Sequence, residues 1–159
     1  MGPQKDDVRR GRPAATATVT IREASVDDAD AVAALLGELG YPSSGIEAAE
    51  RIERIAGDPT TWLFVAEADS ELAGLAALHV QNLVERDEPG CQVAALVVGQ
   101  RFRRLGIGEL LMQRLEDEAR QRGGKVMVLN TAHRRADAHA FYEALGYEHT
   151  GRRYAKELL

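Results

Sequence analysis

"CQVAALVVGQRFRRLGIGELLMQRLEDEAR", residues 91–120, changes its hydrophobic period partway along. Residues 91–99 form a nearly continuous apolar run, the pattern of a central strand covered on both faces. From Ile107, the residues Leu110, Leu111, Leu115 and Ala119 recur on one helical face, so a helix begins near Gly108. Gly106 and Gly108 stand at the junction; glycine there can take positive φ or let a ligand approach the backbone closely.

The first N–H groups of such a helix have no intrahelical partner and lie at the positive end of its dipole. With Arg103 and Arg104 beside them they make an anion site with enough donors for a pyrophosphate. Other phosphate loops do not fit. A Walker A loop needs Gly-Lys-Ser/Thr where Gly108 is followed by Glu109, and a dinucleotide fingerprint needs a third glycine where Leu111 stands. Taken alone, the two glycines are equally consistent with a helix that simply starts after a glycine turn.

Outward from this stretch, "TVTIREA" (18–24) alternates as a half-buried strand does. Ser25 followed by Asp28 predicts an N-cap, with Ala29, Val32, Ala33, Leu35 and Leu36 on one helical face and "GYP" (40–42) ending it. A second helix is expected over 44–55, with Ile46, Ala49 and Ile52 inward. Strands at 61–68 and 71–84 flank "DS", a hairpin turn, and "KVMVL" (125–129) reads as a short buried strand. Ala138, Phe141, Tyr142 and Leu145 mark a helix closing at Gly146, and two short strands are expected from Tyr147 onward, around Gly151. The order β α α β β β α β α β β specifies an α/β or α+β sandwich of mixed sheet and helices.

The chain has 159 residues, enough for one domain with its own core. Residues 1–17 are polar and read as a flexible N-terminal arm, leaving 18–159 as the domain. With 20 Lys and Arg against 25 Asp and Glu the formal charge is −5, which argues against a nucleic-acid-binding surface. No window suits a bilayer and the N-terminus lacks a signal peptide's apolar core, so a cytoplasmic protein without membrane contact is expected. A lone Cys91 excludes an internal disulfide framework and otherwise reads as a small core residue.

At this point the chain resembles the GNAT (GCN5-related) N-acetyltransferases, whose signature Arg/Gln-x-x-Gly-x-Gly/Ala lies between a buried strand and a helix. Arg103, Gly106 and Gly108 match it, and "FYEALGY" (141–147) matches the family's second recurrent segment. The resemblance covers about residues 18–159 and implies a mixed, mostly antiparallel sheet splayed at its centre, with helices on both faces. It implies acetyl-CoA as cosubstrate, held at its pantetheine arm by the backbone of Leu96, Val97 and Val98. The pyrophosphate would be held by the loop Arg103, Arg104, Leu105, Gly106, Ile107 and Gly108, and a neutral amine would attack the thioester directly.

The same resemblance makes Tyr142 the acid for the departing thiolate; by its spacing alone Tyr142 is a core tyrosine on its helix's apolar stripe. Many family members carry a base Glu on the strand before the loop, where this chain has Ala94 and Ala95. His79 is one replacement, because imidazole titrates near neutrality; a structural or exposed histidine and proton loss to bulk water are the alternatives. Arg135 stands where the family often has Asn, as a cation for a cofactor phosphate or for solvent, and Asn130 is a further pantetheine contact. His133, His139 and His149 lack ligand spacing, so no metal is expected.

By the same resemblance, substrate choice is expected to lie in the first two helices and their loop, about 26–58, where Tyr41 and Pro42 would border the acceptor site, and in the loop between the strands ending at Val84 and starting at Cys91. The segment 22–58 is distinctly acidic, which would attract a cationic amine such as a polyamine, an aminoglycoside or a lysine side chain. Solvated faces of two amphipathic helices explain the same charges. The leading expectation is an N-acetyltransferase acting on a primary amine of a small molecule or a protein. The alternative is a non-catalytic acyl-CoA-binding or sensing module, favoured by the missing base. A third reading is a dimerisation or partner-binding domain, in which an edge strand near the C-terminus pairs with another chain, for example as a homodimer.

Overall fold

The computed structural model describes residues 18–131 and 136–159. Strand β1 (Val19–Glu23) leads through a 3₁₀ turn (Val26–Asp28) into α1 (Ala29–Leu39) and α2 (Gly45–Ala56). Strands β2 (Thr61–Ala68), β3 (Glu71–Gln81) and β4 (Gly90–Val98) follow, then α3 (Ile107–Gln121), β5 (Met127–Leu129) and α4 (Ala136–Ala144). The described strands form one sheet in the order β1-β2-β3-β4-β5, antiparallel throughout except for the parallel pair β4–β5.

The local rules behind this order are visible at its turns. Asp69 and Ser70 take φ of 50° and 65°, the left-handed pair that a tight two-residue hairpin needs. Gly40, at φ 104°, closes α1 where a side chain would be strained. Ser44 caps α2 by accepting from the Glu47 amide at 3.1 Å, while the Ser44 amide donates to the Glu47 carboxylate at 2.8 Å. At the start of α1 the Ser25 amide donates to Asp28 at 2.8 Å, and Arg22 grips the same buried carboxylate through both terminal nitrogens at 2.8 and 2.9 Å. Arg22 thereby ties β1 to the helical layer.

Two cores lie on opposite faces of the sheet. Helices α1 and α2 cover one face through Val32, Leu35, Ala48 and Ile52 against Val65, Leu75 and Val97. Helix α3 covers the other through Ile107, Leu111, Met112 and Leu115 against Phe64, Leu78, Cys91 and Val93, and Phe141 and Tyr142 of α4 pack beside it, with Leu145 just beyond α4. Each fully buried side chain of this size contributes about 1.5–3 kcal/mol. The Arg114 guanidinium lies 4.3 Å from the Phe64 ring centroid and Arg122 lies 4.7 Å from that of Trp62. Both also bond Glu118, which is only 4% exposed. Burial works to raise the Glu118 carboxyl, yet these two guanidiniums hold it below the usual carboxylate range.

Three expectations are corrected. No strand forms after α4: residues 147–159 carry no regular structure, because Glu148–Arg153 offers no apolar face to lay on a sheet. Ile46 is 76% exposed rather than inward; the cap at Ser44 fixes the helix so that Ala48 and Ile52 face the sheet, and Ile46 lies about 200° around from Ala48. Strand β5 is not buried on both faces, since Val126 and Val128 are half exposed beside the sheet's edge. Among the described residues no helix is long and apolar enough to cross a membrane.

Candidate active site

Strands β4 and β5 are paired only from Cys91 to Val93, opposite Met127 to Leu129. Beyond Val93 they part, and β4 there carries an irregularity against β3: Ala77 pairs with Ala95 but Leu78 pairs with Val93, so Ala94 is the extra residue of a bulge. A bulge re-aims the strand, and the parting leaves the β5-facing backbone of Ala95–Val98 without a strand neighbour among the described residues. Leu96, Val97 and Val98 therefore line a cleft whose polar backbone needs a partner from outside the sheet.

At the cleft's end lies the turn into α3. Gly106 takes φ 77° at the N-cap, and nothing lies within 4 Å of where its side chain would be. Gly108 is bare for another reason: an added Cβ would sit 3.2 Å from the Phe141 ring, so this glycine lets α4 lie against α3. Arg104 also takes a left-handed conformation, at φ 64°. The amides of Ile107, Gly108 and Glu109 have no acceptor among the described residues. Arg101 is occupied by Glu71, whereas Arg103 reaches only the Val98 carbonyl at 3.4 Å, and neither Arg103 nor Arg104 has a carboxylate partner among the described residues. Exposed cations beside free amides at a helix entrance suit a pyrophosphate, and the unpaired strand edge suits an amide-bearing arm.

Helix α4 and β5 border an open cavity of about 1330 Å³, lined by Asn130, His139, Tyr142, Tyr147 and His149 among others. Tyr142 meets Phe141 and Tyr147 edge to face, with centroids 5.1 and 5.9 Å away. The Tyr147 hydroxyl donates to Glu116 at 2.8 Å, and burial together with that carboxylate pushes its phenol well above the usual tyrosine range. Arg135 and His133 lie outside the described residues, and among the described residues no cluster of His, Cys, Asp and Glu could hold a metal ion.

On the other face a cavity of about 440 Å³ opens between the α1–α2 loop and the sheet. Leu63, Leu75, Ala77 and Ala95 form its floor, and Tyr41 and Pro42 stand at its rim. Among the described residues its one charged lining residue is Arg51, whose terminal nitrogen donates to the Ser43 hydroxyl at 2.6 Å. None of the region's acids lines it. Asp28 serves Arg22, Glu38 accepts the Gln100 amide at 3.0 Å, Glu47 caps α2, and Asp58 holds Thr60 and Thr61. His79 shares this face by strand alternation from Ala77, and its Nδ1 lies 3.2 Å from the Thr61 hydroxyl.

The expected residues thus divide by location. Leu96 to Val98 and Arg103 to Gly108 come together along one cleft, Tyr142 and Asn130 lie beyond β5, and Tyr41 and His79 lie on the opposite face. Sequence reasoning missed Arg51, because one arginine among the acids of α2 looks like a solvated pair. It also missed Asp58 and Thr61, whose "GDP" setting reads as a helix stop.

A family model described as the acetyltransferase (GNAT) family matches residues 29–147. A curated relative, the aminoalkylphosphonate N-acetyltransferase of Salmonella typhimurium, is 32% identical over 139 residues, covering 87% of this chain and 90% of that protein. Among solved structures, a transcriptional regulator from Bacillus halodurans has a TM-score of 0.81 at 23% identity, covering 89% of this chain and all of that one, 100%. An aminoglycoside N-acetyltransferase, AAC(6')-Iy, in complex with CoA has a TM-score of 0.80 at 19% identity, covering 89% of this chain and 95% of its own. Glucosamine-6-phosphate N-acetyltransferase from Arabidopsis thaliana has a TM-score of 0.77 at 21% identity, covering 88% of this chain and 98% of that one. At these identities the solved structures carry the fold.

Proposed function

This chain belongs to the GNAT acetyltransferase family and is an N-acetyltransferase that takes its acetyl group from acetyl-CoA; from that premise we propose that its acceptor is a small amine bearing an anionic group. The observation that carries the proposal is Arg51, among the described residues the one charged group lining the apolar cavity beside the α1–α2 loop, with Ser43 bonded to it. A cavity of about 440 Å³ suits a small molecule rather than a protein surface. Arg51 has no carboxylate partner among the described residues; the Ser43 hydroxyl accepts from it and spends its own proton on the Tyr41 carbonyl at 3.0 Å, so the guanidinium is held in place with further donors to offer a phosphonate or carboxylate. The relative named for aminoalkylphosphonates supports the same class. The expectation of a cationic amine draws no support from this cavity, since none of the region's acids lines it.

In this reading acetyl-CoA supplies a thioester carbonyl at the cleft where β4 and β5 part. The free amides of α3 with Arg103 and Arg104 hold its pyrophosphate, and the β4 edge at Leu96 to Val98, with Asn130, holds the pantetheine arm. Tyr142 protonates the leaving sulfur and His79 is the candidate base, on the same face as the acceptor cavity. A non-catalytic sensing module is not favoured, because the curated relative is named as an enzyme. A cytoplasmic homodimer joined at the β5 edge belongs to the same proposal, supported by exposed Val126 and Val128 and checked by light scattering.

The test compares an aminoalkylphosphonate, the chain-matched alkylamine and a polyamine as acceptors, following free thiol. A charge-assisted hydrogen-bond pair is worth about 1.5–3 kcal/mol, so kcat/KM for the phosphonate should exceed that for the alkylamine by roughly 10- to 150-fold. Arg51→Ala should erase that preference while the Kd for acetyl-CoA holds. Equal use of the alkylamine, or preference for the polyamine, would refute the anionic acceptor.

A further inference from the structure

The entrance of β2 holds a run of hydrogen bonds ending at His79, whose other members have no role in the acetyl-transfer scheme. Asp58, in the turn after α2, takes the Thr60 amide at 2.8 Å and the Thr60 hydroxyl at 2.7 Å on one oxygen. Its other oxygen takes the Thr61 hydroxyl at 3.0 Å. Thr61 and His79 face each other across the β2–β3 ladder, with the hydroxyl 3.2 Å from Nδ1.

Counting protons fixes the direction of this chain. A carboxylate only accepts, and a hydroxyl has one proton to give. Thr61 spends that proton on Asp58, so towards His79 it is an acceptor and Nδ1 must carry the hydrogen. A neutral imidazole protonated at Nδ1 keeps its lone pair on Nε2. Nε2 has no partner among the described residues. The Thr60 hydroxyl above all holds the Asp58 carboxyl below its usual range, so the anchor stays charged.

His79 sits on the face that bears the acceptor cavity. It is two residues beyond Ala77 of the cavity floor, or about 7 Å along the strand, just outside the cavity's lining. Its β4 partner is Gln92, two residues before the Ala94 bulge where the cleft opens.

We propose that Asp58 and Thr61 are positioning residues that lock His79 as the Nδ1–H tautomer, so that Nε2 is the base for the acceptor's ammonium group. This rests on the acetyl-transfer reading and fills the role left open by Ala94 and Ala95. Nε2 takes one proton from the ammonium, directly or through a water, and later releases it to solvent. The freed nitrogen lone pair forms the C–N bond as the C–S bond breaks. Tyr142 gives its proton to the departing sulfur and is reprotonated by the second proton leaving nitrogen.

The ring nitrogens can be read directly by ¹⁵N NMR of the labelled full-length protein, with His79→Gln to assign the signal. Above the imidazole titration, the wild type should show a protonated Nδ1 and a bare Nε2. Thr61→Val should move the ring toward the Nε2–H form and lower kcat about tenfold or more, with KM for acetyl-CoA unchanged. Thr61→Ser, which keeps the hydroxyl, should restore both ring state and rate. A wild-type ring protonated at Nε2, or a tautomer change in Thr61→Val without loss of kcat, would overturn the relay. A wild type that binds no acetyl-CoA would instead sink the functional reading, and since the ring spectrum needs no turnover, the two failures are separable.

Discussion

Tyr142 and Tyr147 stack edge to face, yet the proposed scheme gives their hydroxyls different duties. Tyr147 is tied to Glu116 and its phenol is raised by burial and by that carboxylate, so it serves the fold. Tyr147→Phe should cost roughly 1–2 kcal/mol in denaturant unfolding. Tyr142→Phe should instead lower kcat about 100-fold, as loss of a general acid does, and leave the calorimetric Kd for acetyl-CoA in place. Asp28 gives a pH signature. The Arg22 bonds hold its carboxyl below the ordinary range, so the folded state gains stability that is fully present above the unfolded carboxyl's pKa. That contribution is lost as pH falls from the ordinary carboxylate range through the depressed folded value, and Asp28→Asn should flatten this part of the pH–stability curve. The Ser25–Asp28 cap could be read from its spacing, whereas the Arg22 clasp could not, because nothing in the sequence says which cation will lie over a turn.

The entrance of α3 was legible as a motif but not in the division of labour between its glycines. Gly106 needs its left-handed φ and has space around it; Gly108 has no need of unusual φ and is confined by Phe141. Gly106→Ala should cost about 1–2 kcal/mol of backbone strain without moving α4, whereas Gly108→Ala should push Phe141 aside and disturb the cavity behind it. Tyrosine fluorescence and the acetyl-CoA Kd would separate the two. Strands β1 to β4 were readable because alternation or a continuous apolar run marks them. The strands expected after Tyr147 rested on turn residues alone, and Glu148 to Arg153 supply no apolar face. Strand β5 was readable as a strand but not as an edge, since its valines do not announce which side lacks a neighbour.

For the whole molecule, the acidic character of residues 22–58 was plain and its meaning was not. Composition counts charges, whereas position decides whether they face a ligand, and here none of these carboxylates lines the cavity, Glu47 capping a helix and Asp58 pinning a turn, while Arg51 does. The cleft proposed for the donor could be read in the sequence because its residues are local to 96–108. The acceptor side was not, because Leu63, Ala77, Ala95 and Arg51 meet only through sheet pairing and helix packing. Enlarging Leu36, which lines the cavity proposed for the acceptor, to Trp should raise KM for the amine and leave acetyl-CoA affinity unchanged, measured by steady-state kinetics and calorimetry.

The two cores have no buried residue in common, one lying under α1 and α2 and the other under α3. A sheet packed separately on its two faces lets α1 and α2 vary without disturbing the core under α3; ties from this layer to the proposed donor site run through Val97 and the Glu38–Gln100 bond. Directed evolution confined to α1, α2 and their loop, with Glu38 and the side chains against Val97 kept, should then sample new acceptors while the Kd for acetyl-CoA holds.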